Sequence, residues 1–184
     1  MQAVLLFLLE TVAFLLVGSA LLRAWMNQWR INMSAQPGRF VMALTHWVVG
    51  PVRKLLPKPM VQSAVDWGSL MAAVLLALAY GGLWLMIQMA LSAAPVSPAS
   101  AMLAIVFLAG KLLVRVVLQG LMLLLIVYAV LSWVQPGAPL MGTLDRLCRP
   151  VLAPVRRVVP TVGGVDLSVL VVIVLLQVGL ILLG

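Results

Sequence analysis

The residues able to do chemistry here are few, and their spacing limits what that chemistry is. The chain holds one histidine, His46, and one cysteine, Cys148. A single imidazole cannot build a His-rich metal or haem cage, and a single thiol can form neither an internal disulfide nor a cysteine zinc site. Arg146 and Arg149 flank Cys148, which would lower its pKa. No Cys-x-x-Cys accompanies it, so the sequence favours a buried or idle thiol. No Ser/His/Asp set and no Gly-rich phosphate loop after a strand is present. This points away from an enzyme and predicts no cofactor and no metal.

The remaining charges fall into two patterns. The first is a phrase written twice. Pro51-Val52-Arg53-Lys54-Leu55-Leu56-Pro57 parallels Pro154-Val155-Arg156-Arg157-Val158-Val159-Pro160. Each copy runs on to an aspartate, Asp66 or Asp166, with a serine just beyond at Ser69 or Ser168. Proline fixes φ and lacks an N–H, so Pro51, Pro57, Pro154 and Pro160 are expected to interrupt regular helix. Upstream, "RFVMALTHWVVG" and "TLDRLCRPVLA" space apolar residues helically with polar ones between, as amphipathic helices in a membrane interface do. Arg53, Lys54, Arg156 and Arg157 would then reach anionic phospholipid phosphates, at about 1 kcal/mol each. Gly163 and Gly164 suit a tight turn back to the membrane. Asp66 and Asp166 stand where helix N-caps belong, each facing the positive end of the following helix. The pattern reads as an interfacial staple, or as an Arg–Asp network that docks a partner.

The second pattern is a set of charges inside apolar runs: Glu10, and Lys111 with Arg115 four residues on. A carboxylate within a bilayer is costly unless paired. If the runs carrying these residues pack together, Glu10 meets Lys111 or Arg115 as a structural ion pair; the alternative is an ion or proton path, for which only Gln88, Gln119 and Gln177 add polar groups along the spans.

The elements that must position these groups follow from composition. Of 184 residues, 65% are hydrophobic and only 9% charged, against about 25% charged in a soluble domain. The mean hydropathy is +1.22. Such a chain finds its solvent in a bilayer, so apolar runs of about 20 residues read as spanning helices. They lie at about 2–22, 67–91, 112–133 and 167–183, four spans in an all-α membrane protein. The first reads as an uncleaved anchor, because no Lys or Arg precedes it and Glu10 interrupts it. Residues 101–133 form either one long tilted helix or an interfacial piece followed by a span. "SAAPVSPAS", Ser92–Ser100, is an uncharged turn. Small residues such as Gly81 and Gly82 favour close helix packing.

Trp25 closes the first span of one half, and Ser132-Trp133 that of the other. The chain therefore divides into two parallel tandem repeats, 1–94 and 101–184, each with an amphipathic interfacial segment. Both basic segments belong in the cytoplasm by the positive-inside rule, with both termini outside. The net charge of +8 is not accompanied by aromatic-interleaved basic motifs, which argues against nucleic acid.

"SWVQPG", "RPVLAPVRRVVPTVGGVDLS" and the apolar tail after Ser168 resemble the YggT family of small bacterial and plastid membrane proteins. The matching positions are Ser132, Trp133, Pro150, Pro154, Arg156, Arg157, Pro160, Gly163, Gly164, Asp166 and Ser168. The first half keeps Trp25, Pro51, Arg53, Lys54, Pro57, Asp66 and Ser69, but lacks the Gly-Gly pair and has Ala24 in place of the serine. The resemblance implies a two-copy member of the bacterial inner membrane. It carries no agreed catalytic or ligand residues. It implies a scaffold, assembly or osmotic-stress factor that meets other membrane proteins and leaves a homo-oligomer open. The alternatives it implies are an ion transporter or channel component under osmotic or potassium stress and, more distantly, a haem-assembly factor for a membrane cytochrome.

Overall fold

The computed structural model describes residues 2–33, 37–57, 65–92, 97–159 and 166–184. It is all helical there: α1 Gln2–Gln28, α2 Gly38–Leu55, α3 Trp67–Ser92, α4 Pro98–Val134, α5 Met141–Arg156 and α6 Leu167–Leu183. No strand occurs among the described residues. Helices α1, α3 and α4 are long and apolar enough to cross a membrane. Helix α6 is equally apolar but shorter, 17 residues or about 26 Å.

Helix α1 does not stop at Leu22. It continues through Arg23 and Trp25 to Gln28, because its last turn still has a buried face, with Ala24 and Met26 inside. The end is closed by two backbone bonds, from Ile31 N–H to Met26 C=O and from Arg30 N–H to Asn27 C=O, both 3.0 Å. This is a Schellman closure, and Arg30 occupies its left-handed position at φ 50°.

The stretch with two sequence readings is one continuous helix, α4, of 37 residues and about 55 Å. Pro98 takes its first position, where a missing N–H costs nothing. Ser97 precedes it and accepts from the Ser100 N–H at 3.3 Å. Ala93–Val96 of the expected turn lie outside the described residues.

Two of the four prolines expected to interrupt regular helix, Pro51 and Pro154, do not. Pro51 lies inside α2, and Pro150 and Pro154 lie inside α5. A proline in a helix interior forfeits one backbone bond and costs about 3 kcal/mol. Here the amphipathic face outweighs that cost. Val49 and Val52, flanking Pro51, are buried against Ala72 of α3. Leu144, Cys148 and Leu152 are buried with Leu125, Val169 and Val172. Gly50 also removes the Cβ that the Pro51 ring would crowd. Pro57 follows α2 and is exposed, and Pro160 lies outside the described residues.

The chain forms two compact units, Met1–Val116 and Val117–Gly184. The core of the first is built largely from alanine: Ala13, Val17 and Ala20 of α1, Ala73 and Ala77 of α3, and Ala109, Leu112 and Val116 of α4. Such short side chains let helix backbones approach, the packing that replaces hydrophobic drive in lipid. One close approach is at Gly81. A Cβ there would sit 2.7 Å from the Ile105 carbonyl oxygen, whereas one at Gly82 would meet nothing within 4 Å. The core of the second unit joins the later part of α4 with α5 and α6.

Candidate functional site

Each unit contains an Arg–Asp clasp at the start of an apolar helix. In the first unit, Asp66 precedes α3. Its Oδ1 accepts the Ser69 N–H at 3.1 Å and its Oδ2 accepts the Ser69 hydroxyl at 2.8 Å. The Nη2 of Arg53, in the last turn of α2, donates to Oδ2 at 2.7 Å. The clasp ties the amphipathic helix to the apolar one that follows it. Gly68 makes the crossing feasible, since a Cβ there would lie 2.5 Å from Arg53 Cγ. Behind it, the buried Arg23 of α1 donates to Thr45 Oγ1 of α2 at 3.0 Å, and Thr45 donates back to the Val41 carbonyl.

In the second unit, Asp166 caps α6 and accepts the Ser168 N–H at 3.0 Å. Arg156, the last residue of α5, reaches Asp166 Oδ2 through Nε at 2.7 Å and Nη2 at 2.6 Å. The same guanidinium donates to the Tyr128 hydroxyl at 3.1 Å, and Tyr128 donates toward Asp145 Oδ1 at 3.4 Å. Ser69 and Ser168 are both fully buried.

The two clasps differ in depth. The Asp66 side chain is 4% exposed and that of Asp166 is 25% exposed. Burial pushes both carboxyls up, but the hydrogen bonds from Arg53 and Ser69, or from Arg156 and Ser168, outweigh it. Both acids are held below the usual aspartate range. Burial pulls Arg156 down, and its bonds to Tyr128 and Asp166 more than restore it, leaving it above the usual arginine value.

Cys148 contradicts the expected effect of its arginine neighbours. Burial pushes the thiol up to about 11, helped by the charge of Asp145 and opposed by Arg156. Arg146 and Arg149 are exposed, while Cys148 faces the core between Leu144 and Leu152.

Glu10 of α1 pairs with Arg115 of α4 through Oε1 and Nη1. Lys111, one turn earlier and half-buried, makes no ion pair among the described residues.

The other sequence candidates are spread out. Trp25 and Ser132 are half-buried within α1 and α4, and Trp133 is exposed near the end of α4. Lys54 and Arg157 are exposed beside their clasped neighbours, Pro150 is half-buried and Pro154 is exposed. Gly163 and Gly164 lie outside the described residues. Sequence reasoning missed Arg23, Thr45, Gly68, Tyr128 and Asp145. Only Arg23 left a usable signal, as a cation one turn inside a continuing apolar pattern; the others became visible only through their neighbours.

Apolar helices able to span a bilayer, with basic amphipathic helices clasped to their ends, define an all-α membrane protein of small size. The chain belongs to the CCB3/YggT family, whose model matches it in two segments, residues 2–92 and 107–184. It is 32% identical over 175 residues to "Uncharacterized protein YggT" of Escherichia coli strain K12, covering 94% of this chain and 85% of the relative. It is 30% identical over 179 residues to "Uncharacterized protein in proC 3'region" of Vibrio alginolyticus, covering 97% and 92%. No solved structure matches it.

Proposed function

We propose that this chain is a non-enzymatic, multi-pass protein of the bacterial inner membrane that acts as a scaffold or assembly factor for other membrane proteins under stress. In this reading α1, α3, α4 and α6 cross the bilayer as two like-facing repeats. The basic segments face the cytoplasm and both termini face the periplasm, as the excess of Arg and Lys in those segments favours.

The observation that carries the reading is the clasp found in each unit. An arginine ending an amphipathic helix is held by the aspartate that starts the next apolar helix. Both carboxylates are consumed internally, so neither is left as an acid or base for chemistry. Around the second clasp the side chains left outward are basic: Arg157 next to Arg156, with Arg146 and Arg149 further back on the same helix. Rigidly presented cations at a membrane surface suit an acidic face of a neighbouring protein.

The test is crosslinking in intact membranes with identification of neighbours, comparing wild type with Arg146→Ala/Arg149→Ala/Arg157→Ala. The triple variant is expected to reach the membrane in normal amount and lose specific neighbours. An unchanged set of neighbours would sink the scaffold reading. Ion flux through proteoliposomes holding the purified protein alone would replace it with a transporter.

A further inference from the structure

Helix α2 carries more apolar surface than its packing uses. At 3.6 residues per turn its positions fall into three sectors. One is buried against the protein: Val41, Thr45, Val49 and Val52. A second is apolar and turned outward: Phe40 is 61% exposed, Trp47 62% and Leu55 85%, and the exposed Pro51 falls on the same stripe. The third, on the far side of that stripe from the core, holds Arg39, His46 and Lys54, all exposed. Arg53 lies at its edge but is engaged by Asp66. No acidic residue occurs anywhere in α2.

A soluble amphipathic helix would turn polar residues outward from its buried stripe on both sides. Helix α5 does so. Among its residues Met141–Arg156 no large hydrophobic side chain is exposed, and its outer positions include Arg146, Arg149 and Arg156. The outward apolar stripe is therefore specific to α2, despite the matching basic phrases that end the two helices.

We propose that α2 is an acidic-phospholipid-binding interface helix: Phe40, Trp47 and Leu55 enter the acyl boundary, and Arg39 and Lys54, with His46 between them, hold the lipid phosphates. Three features favour this occupant over a second protein. The stripe is flanked by cations with no acid among them, which complements an anionic surface. Arg23 fastens α2 to α1 through Thr45, and Arg53 fastens it beside the first residues of α3, so it is held at the ends of two apolar helices. An indole on the outward face matches the preference of tryptophan for the headgroup level. The proposal needs α1 and α3 to span the bilayer and does not depend on the scaffold reading.

The test uses the full chain in vesicles containing a fixed mole fraction of brominated phosphatidylglycerol or, in a parallel set, brominated phosphatidylcholine. The signal of Trp47 is taken as the difference between wild type and Trp47→Phe. Trp47 is expected to be quenched by both lipids, and more strongly by the phosphatidylglycerol. Arg39→Gln/Lys54→Gln is expected to remove that preference, weakening the relative association with acidic lipid by about tenfold. Both positions are exposed, so folding is retained, and unchanged far-UV circular dichroism checks this. No quenching by either lipid, or equal quenching by the two, overturns the proposal. So would quenching of Trp47 that is lost when a co-purified protein is present, since the stripe would then be that protein's seat.

Discussion

Nη2 of Arg53 lies 2.7 Å from Oδ2 of Asp66, thirteen residues along the chain, and its path crosses Gly68, two residues beyond the acid. One contact thus joins three jobs. It neutralises a carboxylate that is only 4% exposed, caps the start of α3 and fixes the end of α2.

Removing that carboxylate should hurt more in the first unit than in the second. Asp66→Asn leaves Arg53 without its counter-charge and weakens the bonds to Ser69, at a cost of about 2–3 kcal/mol. Asp166→Asn sits in a wetter site and should cost about 1 kcal/mol, near the value of an N-cap. Thermal unfolding of the two purified variants in one detergent checks the order. Equal losses would show that depth does not govern the clasps.

Acid should act in the same direction. Both aspartates have folded pKa values depressed below the ordinary range. Their contribution to stability is therefore complete above the ordinary aspartate value and is lost as pH falls through the lower, folded value. A stability profile should stay level in its clasp-dependent part at neutral pH and fall below about pH 4, and Asp66→Asn should flatten that fall.

Gly68→Ala places a methyl group against Arg53 Cγ, within van der Waals contact, and should destabilise by about 1–3 kcal/mol. The cost should shrink when Arg53 is also truncated to alanine, because the clash is then gone. A double-mutant cycle reads this coupling directly. Additive effects would mean that the glycine serves the backbone and not the arginine.

Arg30 holds a left-handed conformation that glycine adopts without strain. Arg30→Gly should stabilise the end of α1 by about 1 kcal/mol, measured as a raised melting temperature. A lowered one would show that the arginine side chain itself matters there.

Cys148, with its thiol pushed up to about 11, should remain a thiol at neutral pH. Alkylation by iodoacetamide at pH 7.5 should be slower in the folded protein than in the denatured chain by about a hundredfold, from the thiolate fraction alone. Comparable rates would place the thiol in water.

Composition and apolar run length were enough to specify an all-α membrane protein, because a bilayer leaves hydrogen-bonded helices as the economical solution for such a chain. The residues of both clasps were legible too, since a basic phrase, an aspartate and a serine recur at similar spacing. Tertiary structure decided what periodicity cannot express. Prolines 51, 150 and 154 sit within helices because buried faces outweigh a lost backbone bond. Glu10 takes Arg115 and not Lys111 one turn earlier, a choice between two like charges that depends on how the two helices pack. Cys148 is raised because the helix turns it toward the core and its arginines away. Apolar spacing marks which residues avoid water, but only packing tells which of them a neighbouring helix covers, as the bare stripe of α2 shows.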